Sequence, residues 1–123
     1  MVNIKKLNFS FKYAFEGIYY ALKYDQNLRI HFFVGFLVVL LSIYFRVNHF
    51  EAGILGVMIL LVISTEMINS AIEQMVDLIT NEHRQEAKIA KDVSAGMVLL
   101  TAIGSIIVGL LIFIPYIVKL FSS

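Results

Sequence analysis

Three stretches of this chain carry no charged residue over lengths comparable to a bilayer's thickness: between Arg29 and Arg46, between Glu51 and Glu66, and between Asp92 and Lys119. A membrane-spanning helix needs about 20 mostly apolar residues. The third stretch meets that requirement by itself. The first meets it when Arg29 and His31 reach an interface with their stem and ring. The second continues at helical spacing through Ile68, Ala71, Ile72, Met75, Val76 and Ile79. The pattern predicts one helix over about Ala52 to Ile79, beginning in lipid and emerging beyond it. Composition agrees: 59% of the residues are hydrophobic and 15% are charged, where a soluble domain has about a quarter charged. One small core cannot hide that apolar excess, so lipid is the expected solvent.

Lys and Arg counts set the orientation, because cytoplasmic segments hold the excess. Lys5, Lys6, Lys12, Lys23 and Arg29 precede the first span, and Arg84, Lys88 and Lys91 lie between the second and third. Only Arg46 and Lys119 fall on the other side, so the N-terminus and second loop are expected in the cytoplasm. The aromatic and basic start lacks the pattern of a cleavable signal peptide and is expected to be retained. From Asn8 to Tyr24, Phe11, Phe15, Ile18 and Leu22 form one apolar stripe, with Lys12, Glu16 and Lys23 opposite. That pattern suits a helix lying in the membrane interface or one packed on a soluble partner. Small residues at four-residue steps, Ala52 with Gly56 and Thr101, Ser105 with Gly109, favour close helix packing. Pro115 is expected to kink or end the third span.

The second helix then carries a run that lipid alone does not tolerate, TEMINSAIEQMVD. Glu66, Asn69, Glu73 and Asp77 fall within about 80° of one another at about 100° per residue. An ionised carboxylate costs about 2.5–3.5 kcal/mol at the centre of a membrane helix. Three on one stripe are therefore paired with cations or hold a metal. Lys88, Lys91 and Asp92 open the third span, and Asp25 and Arg29 precede the first, all at one expected depth. Carboxylates, lysines and an amide suit Mg²⁺ and phosphate. His31, His49 and His83 are scattered and there is no cysteine, which argues against zinc and excludes disulfides. No soluble nucleotide motif is present, and no nucleic-acid partner is expected. At this level a salt-bridge seam, a cation pathway and a phosphoryl-transfer site all remain open.

EMINSAIEQMVD followed by AKIAKDVSAG, with SFKYAFEGI and LRIH upstream, resembles the prokaryotic diacylglycerol kinase family, and in particular its Gram-positive undecaprenol kinase branch. The resemblance covers about residues 6 to 118. It implies an all-α integral membrane fold, with a surface helix at about 8–24 and spans at about 29–47, 52–79 and 91–118, in one domain over 1–123. It further implies a homotrimer in the cell membrane, its site at the cytoplasmic face. The reaction implied is Mg²⁺-dependent transfer of the ATP γ-phosphate to a lipid alcohol, undecaprenol before diacylglycerol. By position, Glu66 is the general base, and Glu73 and Asp25 are metal ligands. Asp25 stands where the family usually has glutamate. Asn69 orders the site between Glu66 and Glu73. Lys91 and Asp92, the loop Glu82, His83 and Arg84, and Lys6 and Tyr13 near the start match nucleotide-contacting positions.

Overall fold

An amide or carboxylate side chain starts each of the first three helices. In the computed structural model, which describes residues 1–122, Asn3 Oδ1 accepts from the Lys6 amide at 3.1 Å and opens α1 (Ile4–Tyr24). Asp25 Oδ1 accepts from the Leu28 amide at 3.1 Å and opens α2 (Gln26–Phe45). Asn48 and Glu51 exchange bonds of 2.8 and 3.2 Å in a capping box that opens α3 (His49–Ile79). Each cap satisfies an amide that the helix itself leaves free. A loop then leads to α4 (Gln85–Ser122). All four elements are helical, and among the described residues there is no strand. Ser123, the last residue of the expected domain, lies outside the described residues.

These caps explain why the helices outrun the stretches that the charge pattern marks. The helix expected from Asn8 starts at Ile4, and the one expected from about Ala52 starts at His49. α4 runs through Pro115 to Ser122, so the proline does not end it; membrane helices tolerate proline where neighbours re-satisfy the freed carbonyl. At about 1.5 Å per residue, the 31 residues of α3 and 38 of α4 reach about 46 and 57 Å. A hydrocarbon core is about 30 Å thick, so both helices project beyond it. The three helices α2, α3 and α4 are long and apolar enough to cross a membrane.

Most large apolar side chains stay exposed, and Leu28 is the largest one fully buried. In water that surface is a liability; in lipid it is the solvated surface. The helices are held by a few specific contacts. α4 packs along α3 through polar rungs: Tyr116 to Glu51 at 2.5 Å, Thr65 to Thr101 at 3.0 Å, Ser94 to Asn69 at 2.5 Å and Lys91 to Asp77 at 2.6 Å. Interhelical bonds such as Thr65–Thr101 contribute about 0.6 kcal/mol each in membranes. At the end remote from the site, Phe45 packs on Phe113 and Tyr116, with ring centroids 6.1 and 5.9 Å apart. α2 meets α3 where Gly35 lies under Ile59; a Cβ there would sit 3.0 Å from the Ile59 side chain.

Candidate functional site

The polar stripe of α3 begins deep and ends at the surface. Glu66 and Asn69 are 3% and 6% exposed, whereas Glu73 and Asp77 are exposed. Asn69 Nδ2 donates to Glu73 Oε1 at 3.4 Å, so the amide joins the buried half of the stripe to the exposed half. Glu66 lies within hydrogen-bonding reach of Asp25 and within Coulombic range of Glu73. Lys91, at the start of α4, pairs with Asp77 at 2.6 Å and also feels Glu73. Asp25, Glu66, Asn69, Glu73, Asp77 and Lys91 therefore form one continuous polar seam, from the α1–α2 junction across α3 to α4.

Asp25 is the only residue between α1 and α2. Its backbone amide still bonds to the Ala21 carbonyl at 2.8 Å, while its side chain caps α2 and accepts a hydrogen bond from Ser70 of α3. Partial burial alone would raise its pKa. Hydrogen bonds from the Ser70 hydroxyl, the Leu28 amide, the Glu66 side chain and the Asn27 amide outweigh that and hold the carboxyl below the usual carboxylate range. Arg29, one turn into α2, turns back. Its Nη1 donates to the carbonyls of Leu22 and Lys23 at 2.9 and 2.7 Å, satisfying the C-terminus of α1. The Asp25–Arg29 pair of the sequence thus serves two ends, the carboxylate facing α3 and the guanidinium closing α1.

Two clefts flank the seam. One, of about 530 Å³, is bordered by Tyr20, Tyr24 and Asp25 on one side and by Ser70, Glu73 and Gln74 on the other. The second, of about 430 Å³, is bordered by Asp77, the loop of Glu82, His83 and Arg84, and by Lys88, Lys91 and Asp92. The structure gathers Asp25 and Glu73 in the first, and Glu82, His83, Arg84, Lys91 and Asp92 in the second. In that second cleft Arg84 pairs with Glu82 at 3.0 Å and Lys88 with Asp92 at 2.6 Å. Lys6 and Tyr13 border neither cleft. Both are exposed on α1, the Lys6 amide bound to the Asn3 cap and the Tyr13 ring stacked on Phe9.

The sequence model of the prokaryotic diacylglycerol kinase family matches residues 12–113. The chain belongs to that family. Among its curated relatives, it is 38% identical over 112 residues to a diacylglycerol kinase of Synechocystis, covering 90% of this chain and 64% of that protein. The chain thus spans slightly under two thirds of that relative's length. It is 38% identical over 106 residues to an undecaprenol kinase of Bacillus subtilis, with 86% of each chain covered. A diacylglycerol kinase of Haemophilus influenzae is 29% identical over 106 residues, with 85% of this chain and 90% of that one covered. The prokaryotic diacylglycerol kinase family is one of membrane lipid kinases, and the three apolar helices of this member accord with that.

A family member that uses Mg²⁺ needs hard oxygen donors next to a phosphate. Asp25 and Glu73 are such donors in one cleft. Among the described residues no three His, Cys, Asp or Glu side chains converge into a self-sufficient nest. Two carboxylates, leaving positions for water and phosphate oxygens, is the donor set Mg²⁺ commonly accepts. The residues present therefore fit the ion. Ser70 and Ser94, which hold Asp25 and Asn69, carry no mark in the sequence, because serine is common in membrane helices. The one available signal for Ser70 is its place directly after Asn69 inside the motif.

Proposed function

We propose that this chain transfers the γ-phosphate of ATP to the hydroxyl of a membrane lipid alcohol, with undecaprenol as the acceptor and diacylglycerol as the alternative. The observation that carries this reading is Glu66, a buried carboxyl on α3 in reach of Asp25, one turn from Asn69 and two from Glu73. Glu66 is the general base. It takes the proton of the lipid hydroxyl as the new O–P bond forms and the bond from the γ-phosphorus to the bridging oxygen of ADP breaks. Burial keeps competing water from this carboxylate.

Asp25 and Glu73 hold Mg²⁺, which when bound draws charge from the phosphate oxygens. Lys91 supplies a further positive charge, and its pairing with Asp77 sets its resting position. The loop of Glu82, His83 and Arg84, with Asp92, contacts the nucleotide in the second cleft; the family resemblance adds Lys6 and Tyr13 of α1, which border neither cleft. Phosphoryl transfer asks mainly for positioning and charge neutralisation, and this set supplies both. α1 lies in the membrane interface as a surface helix, its exposed Phe11 and Phe15 facing lipid. The whole of 1–123 acts as one domain in a homotrimer in the cell membrane, the site at the cytoplasmic face, where ATP arrives from water and the alcohol from lipid. Undecaprenol is placed before diacylglycerol because the chain's motifs resemble the family's undecaprenol kinase branch.

The test is Mg²⁺-dependent transfer of labelled phosphate from ATP by the purified chain, with undecaprenol and diacylglycerol offered side by side and Glu66→Gln as control. Transfer lost in the variant by about 10²- to 10⁴-fold, the usual contribution of a general base, supports the kinase, and the ratio of rates gives the acceptor. A folded wild-type chain that phosphorylates neither lipid overturns the reading and returns the stripe to an ion path.

A further inference from the structure

The amide of Asn69 has two faces, and the structure supplies a different partner to each. Its Nδ2 donates to Glu73 Oε1 at 3.4 Å. Its Oδ1 accepts from Ser94 Oγ of α4 at 2.5 Å. Ser94 is 3% exposed and Asn69 6% exposed, so water does not compete for either. We infer that Ser94 is a positioning residue which, through Asn69, fixes the Glu73 carboxylate for its divalent cation.

The chemistry of the three groups leaves one arrangement. An ionised carboxylate only accepts, so Nδ2 must face Glu73 and Oδ1 must face away. The group facing Oδ1 must then donate, which a serine hydroxyl does and an alanine does not. Ser94 Oγ also lies 3.0 Å from the Lys91 carbonyl one turn earlier. It has one proton, and the shorter contact is to Asn69. Glu73 itself is exposed and long, so without the amide its carboxylate samples many rotamers. With Oε1 held, Oε2 remains for the cation. Carboxylates that bind metals are commonly held in this way by hydrogen-bond partners outside the coordination shell, and losing such a partner typically costs about 10- to 100-fold in affinity or activity.

This inference rests on the proposed role of Glu73, so its test separates the two. Mn²⁺ serves as the probe. Its binding to the purified full chain, with a non-hydrolysable ATP analogue present, is followed by electron paramagnetic resonance of the free ion. Wild type, Ser94→Ala, Ser94→Thr, Ser94→Cys and Glu73→Gln are compared, and the Mg²⁺ dependence of transfer is measured alongside. Ser94→Ala is expected to bind Mn²⁺ about 10-fold more weakly and to need correspondingly more Mg²⁺ for half-maximal rate, with a smaller change at saturation. Ser94→Thr, which keeps the hydroxyl, recovers most of the affinity. Ser94→Cys fills the site with a poor donor and is expected to resemble the alanine variant; it answers the question should alanine unsettle the helix pair. Wild-type Mn²⁺ affinity in Ser94→Ala or Ser94→Cys, with affinity lost in Glu73→Gln, overturns the role of Ser94 and leaves the kinase reading standing. Wild-type affinity in Glu73→Gln removes that carboxylate from the ion and overturns both.

Discussion

Ser70 of α3 donates a hydrogen bond to Asp25, 45 residues earlier, and the same carboxylate caps α2 through the Leu28 amide. Both tasks need a short side chain, since aspartate reaches a backbone amide two or three residues ahead and is among the best helix caps. A glutamate would carry an extra methylene. The shorter residue attaches to two helices at once. A hydroxyl that looks incidental in the motif thus supports a carboxylate at the junction of two other helices.

Asp25 makes stability depend on pH with a defined sign. Its folded pKa lies below its ordinary value of 3.8, so the stabilisation from its ionised form is complete above that value. It is lost as pH falls through the lower folded value. Asn caps about as well as Asp, so Asp25→Asn keeps the cap and removes the titration. Thermal melts of the two proteins from about pH 3 to about pH 7 are expected to converge on the acid side, the wild type losing more as pH falls.

Lys91 and Asp77 test which partner matters to the nucleotide. Their pair is exposed on both sides, 40% and 64% by side chain, and such pairs add little to folding. Asp77→Asn is therefore expected to leave the melting temperature unchanged and to leave KM for ATP unchanged or lower, because the lysine is released. Lys91→Ala is expected to raise KM for ATP about tenfold, as loss of a charge-assisted contact does. Steady-state kinetics over a range of ATP decide it.

Gly35 is required by the approach of α2 to α3. A Cβ at that position already meets the Ile59 side chain at 3.0 Å, so Gly35→Leu has to push the helices apart. Overpacking of this kind costs about 1–3 kcal/mol. Denaturation in detergent is expected to show that loss. Ile59→Ala, combined with Gly35→Leu, is expected to recover part of it by making room.

Tyr116 and Glu51 separate architecture from chemistry. Their 2.5 Å bond joins α4 to the start of α3 at the end remote from the seam. Tyr116→Phe keeps the ring on Phe45 and deletes the hydroxyl. It is expected to lower the melting temperature while leaving transfer rates at low temperature and KM for ATP at wild-type values. A change in KM would mean that the remote end reaches the site.

The order of the helices was legible in the charge-free stretches, and the acidic stripe in the spacing of Glu66, Asn69, Glu73 and Asp77, because both depend on period and charge alone. Helix starts were less so. Asn3 and the Asn48–Glu51 box extend α1 and α3 beyond the apolar run, and capping acts on a residue or two that hydropathy does not see. Pro115 does not end α4, because its missing amide matters less inside a packed membrane helix. The resemblance, not spacing, put the loop from Glu82 to Arg84 with Lys91, and it could not show that Lys6 and Tyr13 lie outside both clefts. Ser70 and Ser94 stayed hidden because each bond depends on how one helix meets another, 45 and 25 residues away.

A junction of one residue leaves the chain no slack. α1 has 21 residues and so a length of about 31 Å; Arg29 bolts its near end to α2, and Asp25 is the pivot. A swing of a few degrees at the far end of such a lever is delivered to the pivot as rotation of a single backbone unit, the one bearing the carboxylate held by Ser70. The direction of α1 and the position of the carboxylate that Ser70 holds are therefore tied to one residue.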